Sequence, residues 1–77
     1  MIAPAKLRDI LLVGLPGATV EVTDTTGTQD HFQAVVIAPQ FAGKSRVEQH
    51  QLVYSVLGDR MKQEIHALAL TTREPAK

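Results

Sequence analysis

Three histidines, His31, His50 and His66, are the side chains of this sequence best suited to chemistry near neutral pH. Histidine changes charge in that range and is the commonest metal ligand among side chains. The chain has no cysteine and no tryptophan, and no hydroxyl stands in a motif that joins a nucleophile to a base. His31 and His66 each open an apolar run, FQAVVIA and ALAL, while His50 lies between them in VEQHQLVYSVL. A histidine opening a strand is satisfied either by a backbone carbonyl or by a metal. His50, on the apolar side of a helical pattern, is expected to be packed and hydrogen-bonded.

The elements that must position these groups fit in one small domain. The chain has 77 residues, of which 44% are apolar, enough for one modest core. We read residues 1–77 as a single domain with 1–3 and 72–77 frayed. Without cysteine there is no disulfide, so packing must hold the fold. Eight basic residues balance eight acidic ones, whereas a dedicated nucleic-acid module usually carries a basic excess. No run approaches the ~20 apolar residues of a membrane span, and Asp9 and Gly14 bound the short apolar block near the N-terminus. The expectation is a soluble, cytoplasmic protein (or one of an organelle stroma or matrix) that does not bind membranes. So short a chain has little room for a reaction pocket, and we read it as a non-enzyme.

Pro4 suits a first helical turn. Leu7, Ile10, Leu11 and Leu15 follow at helical spacing until GLPG stops the pattern, which predicts a helix over residues 4–14. Val20 and Val22 alternate with polar residues in a first strand, the polar stretch 24–30 is a hairpin loop, and HFQAVVIA is a second strand. Ser45 and Glu48 have the form of a capping box. It starts a helix that runs through Leu57 and turns Val47, His50, Val53, Tyr54 and Leu57 to one side. Gly58 breaks it, residues 59–64 form a short further helical piece with Met61 facing in, and IHALALT is a third strand. The fold class is α+β in the order α-β-β-α-(α)-β, a three-stranded sheet with helices on one face.

In this order the motifs resemble the BolA family across nearly the whole chain. They are V-x-V-x-D in strand one, His31-Phe32, Phe41-x-Gly43, His50-x-Leu52-Val53-Tyr54, and Ile65-His66-Ala67-Leu68. The resemblance implies a fold similar to type II KH domains and a partnership with a monothiol glutaredoxin. It also implies a 2Fe–2S cluster shared between the two proteins and glutathione, with none in the isolated chain. By the resemblance the family's ligand histidine at the start of strand three corresponds to His66. Its second ligand lies in the loop between strands one and two. There this chain has no cysteine, Thr28 stands near the relatives' ligand position, and His31 is the nearest imidazole. A partner bringing thiolates answers the shortage of ligands, since structural zinc, by comparison, takes about four from the protein itself. Histidine ligation would raise the cluster's potential relative to all-thiolate binding and make it sensitive to protonation.

The second reading is a KH-like DNA- or RNA-binding transcriptional regulator. Lys44 and Arg46 sit beside the start of the second helix, where phosphate is attracted; a capped helix start with solvated charges explains the same residues. Many relatives read Arg-His-Arg where this chain has Gln49-His50-Gln51, so two positive charges are missing. Gly14-Leu15-Pro16-Gly17 matches the GxxG spacing of KH loops but is accounted for as a helix stop.

Overall fold

A computed structural model of the chain describes residues 2–27, 31–58 and 67–75. The elements are α1 (Pro4–Gly14), β1 (Thr19–Asp24), β2 (His31–Ile37), a 3-10 turn (Pro39–Phe41), α2 (Arg46–Leu57) and β3 (Ala67–Arg73). The expected further helical piece over 59–64 lies outside the described residues.

Local chemistry accounts for the boundaries. Pro4 stands in the first turn of α1, and the Leu15 N–H donates to Leu11 O at 2.9 Å to close its end. The capping box of α2 forms as the sequence suggests. The Glu48 N–H donates to Ser45 Oγ (3.2 Å) and the Ser45 N–H to Glu48 Oε1 (3.0 Å), which satisfies two donors that a helix start leaves without partners. Gly58, at φ 57°, ends α2 in a conformation that costs glycine little.

The sheet is mixed, in the order β1-β2-β3. β1 runs antiparallel to β2, with Val20 opposite Val36 and Val22 opposite Ala34. β3 runs parallel to β2, with His31 opposite Ala67 and Ile37 opposite Arg73. A parallel pair cannot be joined by a tight turn, and α2 lies within the connection. The even-numbered residues of β1 and β2 face the helices: Val20, Phe32, Ala34 and Val36 are buried. Leu7, Leu11 and Leu15 of α1 and Val53 and Leu57 of α2 complete the core with Phe41. Burial of each large side chain contributes ~1.5–3 kcal/mol relative to exposure. α1 packs over β1 and α2 over β3, leaving the odd-numbered face of the sheet open.

The fold differs from expectation in places. Ile2 is buried in the core rather than frayed. Likewise β3 continues through Thr72 and Arg73, whose carbonyl accepts from the Ala38 N–H at 3.2 Å. The inner face of α2 is also rotated from the predicted one. Val47 is 66% exposed and Tyr54 39%, whereas Gln49, Leu52 and Val56 turn partly inward. Two neighbours force this rotation. Val56 packs against Gly14 of α1 so closely that a Cβ there would overlap Val56 Cγ1. On the other side, Gln49 Oε1 accepts from the Thr72 hydroxyl (2.8 Å), tying α2 to β3. Pro39 ends β2, as expected, but starts a 3-10 turn that buries Phe41, a feature the sequence reading missed.

Candidate functional site

One corner of the sheet gathers the end of β1 and the starts of β2 and β3. His31 is the first residue of β2 and is half-buried. Its backbone carbonyl accepts from both the N–H (3.0 Å) and the hydroxyl (3.1 Å) of Thr25. Asp24 Oδ1 accepts from the N–H groups of Thr26 (3.2 Å) and Gly27 (2.9 Å), an Asx turn of the kind aspartate forms at a chain reversal. The entry to the loop is therefore tied down by its own polar groups. On the other side of His31 the parallel register sets Ala67 opposite it. His66, the residue preceding Ala67 in the chain, lies outside the described residues, as does Thr28.

Among the described residues no group of three or more His, Cys, Asp or Glu side chains could hold a metal ion.

His50 is half-buried on α2, its ring edge-on to Tyr54 with centroids 6.5 Å apart. The expected hydrogen-bonded core histidine is only partly realised, because Nε2 is buried and has no hydrogen-bond partner among the described residues. With Arg46, Leu70, Thr71 and Thr72 it lines a cleft of about 260 Å³ between α2 and β3. It is remote from the His31 corner. Leu70, Thr71 and Thr72 pair with Ala34, Val35 and Val36, three to five residues from His31 toward the other end of the sheet, ~10–16 Å at ~3.3 Å per residue.

Lys44 and Arg46 are both exposed and flank the Ser45 cap at this second end. His31 and the pair Lys44 and Arg46 therefore occupy opposite ends of the sheet. Glu48, in the same cap, is held below the usual carboxylate range, chiefly by the Ser45 N–H and then by the Ser45 hydroxyl, with Lys44 adding a smaller pull. Gln49 is the residue that sequence reasoning undervalued. Its Nε2 donates to Lys44 O (3.0 Å) and Phe41 O (3.5 Å) while its oxygen accepts from Thr72. It thus braces the basic turn against β3. Its signal was its position one turn before Val53 on the same helix face, obscured by its polarity.

Known proteins of similar sequence and shape can be set beside this geometry. Residues 16–77 match the family model described as BolA, BolA-like protein. The Escherichia coli (strain K12) protein named DNA-binding transcriptional regulator BolA is 35% identical over 79 residues, which cover 94% of this chain and 75% of that one. The structure of a BolA homologue from Coxiella burnetii superposes with a TM-score of 0.78 at 35% identity, covering 97% of this chain and 94% of that one. The BolA domain of SufE1 from Arabidopsis thaliana superposes at 0.83 with 29% identity, covering 97% and 96%. Some relatives are much longer: the chain spans 38% of BolA-like protein 1 of Bos taurus and 13% of the Arabidopsis SufE-like protein 1. The family match extends from the turn after α1 to the last residue, and the fold matches solved members through nearly the whole chain: the protein belongs to the BolA family.

Proposed function

We propose that this chain is an adaptor that binds a monothiol glutaredoxin and holds one side of a 2Fe–2S cluster through His66 and His31, in iron–sulfur cluster handling or iron and redox regulation. The observation that carries the reading is the parallel register, in which His31 stands opposite the residue that follows His66. The occurrence of a BolA domain in a protein named SufE1 gives indirect support for iron–sulfur work. When bound, the cluster would supply redox and iron-sensing chemistry. This chain's part is to present two imidazoles in their neutral form, from a strand end fixed by the Asp24 turn and the Thr25 hydrogen bonds. Because protonated imidazole cannot ligate, acid should release the cluster. Such work needs no catalytic pocket, and we assign the chain no enzymatic role. The expected setting is cytoplasmic, or an organelle stroma or matrix. The reading is tested by anaerobic co-purification with a monothiol glutaredoxin and the visible spectrum of the product. A complex that forms without any histidine-dependent absorption defeats it.

A second reading, DNA or RNA binding through Lys44 and Arg46, is favoured by the name of the E. coli relative and by the exposure of both side chains. Its signature is binding that falls steeply as salt rises.

A further inference from the structure

Between the start of α2 and the end of β3 lies the cleft of about 260 Å³ lined by Arg46, His50, Leu70, Thr71 and Thr72. The cluster reading uses none of the polar groups in its walls. Arg46, the first residue of α2, is exposed, and among the described residues no carboxylate pairs with its guanidinium. The Thr71 hydroxyl has no hydrogen-bond partner among them either. His50 is half-buried in the wall, and its Nε2 is buried with no hydrogen-bond partner among the described residues. Folded proteins leave few buried polar groups unsatisfied, and each one asks for a partner. No Asp or Glu lines the cleft. Glu48, two residues beyond Arg46, lies about 200° around the helix at 3.6 residues per turn and is held in the Ser45 cap.

These groups select the charge and shape of a ligand. One fixed positive charge beside an imidazole and a hydroxyl matches a single negative charge. The planar fork of arginine meets a carboxylate with two parallel hydrogen bonds. Phosphate is served less well, although helix starts attract it. The N–H groups of Ser45 and Glu48 are already spent on the capping box, which also keeps the Glu48 carboxylate at the helix start. The Thr72 hydroxyl is spent as well, since it donates to Gln49 Oε1 at 2.8 Å. Leu70 gives the cleft an apolar wall, against which a short hydrocarbon body is covered while its carboxylate is held.

We infer that this cleft binds a small organic monocarboxylate. The carboxylate sits in the Arg46 fork with the His50 and Thr71 donors beside it, and the ligand's short aliphatic body rests against Leu70. A neutral imidazole donates from one nitrogen, and the ligand fixes that proton on Nε2. The ring reaches the ligand by turning within its half-buried place, a side-chain adjustment of the kind that binding commonly brings. The site stands apart from the His31 corner and does not depend on the cluster reading.

Titration of the full chain with sodium butanoate, followed by amide chemical shifts at constant ionic strength, tests this. Acetate, butanamide, inorganic phosphate and a short single-stranded DNA are titrated alongside. The expected result is a saturable shift centred on the amides of Arg46, His50 and Thr71, with a millimolar dissociation constant. Butanoate should bind several-fold more tightly than acetate through its two further methylenes, and butanamide should show no saturable shift. Arg46→Gln should weaken butanoate about tenfold or more. Arg46→Lys, which keeps the charge and loses the fork, should weaken it too. His50→Phe and Thr71→Val should each weaken it several-fold while keeping the parent circular dichroism. No saturable shift at tens of millimolar butanoate overturns the proposal. So does butanamide binding as well as butanoate, or an affinity indifferent to both Arg46 variants or to both His50→Phe and Thr71→Val. Phosphate binding more tightly than butanoate, or DNA moving these amides where butanoate does not, assigns the cleft to phosphate and equally overturns it.

Discussion

His50 and Gln49 are adjacent and have opposite hydrogen-bonding circumstances. Nε2 of His50 is buried and has no hydrogen-bond partner among the described residues, and such a group costs on the order of 1–3 kcal/mol of desolvation. Replacing the ring by an apolar one of similar shape should relieve that cost. We expect His50→Phe to leave the urea midpoint unchanged or raise it; a clear fall would show that Nε2 is satisfied in solution. Gln49 makes its bonds to a turn, a helix start and a strand at once. Gln49→Ala should therefore lower stability by about 1–2 kcal/mol, read from the same denaturation curves. Neither expectation was open to a reading of residue types, since a histidine among valines looks like core and a glutamine looks like surface.

At the scale of elements, the start of α2 and its contact with α1 carry separable predictions. Ser45→Ala removes the acceptor for the Glu48 N–H and should cost about 1 kcal/mol. Glu48 adds a pH dependence. Because the fold lowers its pKa, its contribution is present above the ordinary carboxylate range and is lost as pH falls through the lowered value. The stability gap between the parent and Glu48→Gln should therefore narrow as the solution is acidified through that range; a gap independent of pH would contradict the cap. Gly14→Ala would overlap Val56 Cγ1 and should cost about 1–3 kcal/mol. Val56→Ala in the same chain should recover part of that loss, a coupling readable in a double-mutant cycle.

The elements also show where sequence is informative. Pro4, the leucine spacing and GLPG define α1 to the residue because each acts locally. Ser45 and Glu48 do the same for the start of α2. The inner face of α2 was misread because Val47, Val53, Tyr54 and Leu57 fit a helical stripe as well as the true one does. Only the approach of Val56 to Gly14 and the Gln49–Thr72 bond decide between them, and both join residues distant in the chain.

At the scale of the molecule, the fold class and the order of elements along the chain were legible, since alternating apolar residues and local start and stop signals mark three strands and two helices. The parallel pairing of β2 with β3 was not, and it is what sets Ala67 opposite His31. The same topology puts Lys44 and Arg46 at the far end of the sheet, so the two functional readings are separable. Lys44→Ala with Arg46→Ala should abolish any salt-sensitive DNA binding and leave a glutaredoxin complex intact. Loss of both activities in that variant would mean one surface serves both.

The central claim, that His66 and His31 together hold one side of a shared cluster, is tested most directly by the visible spectrum of the anaerobic complex with a monothiol glutaredoxin. It should be recorded for the parent, His66→Ala and His31→Ala, with Thr28→Cys alongside. The account predicts that His66→Ala folds but loses the histidine-dependent absorption and that His31→Ala weakens the cluster. Thr28→Cys should shift the spectrum toward thiolate ligation. A His66→Ala complex with the parent's spectrum would contradict the claim outright, and a parent-like His31→Ala with no effect of Thr28→Cys would contradict its two-ligand form.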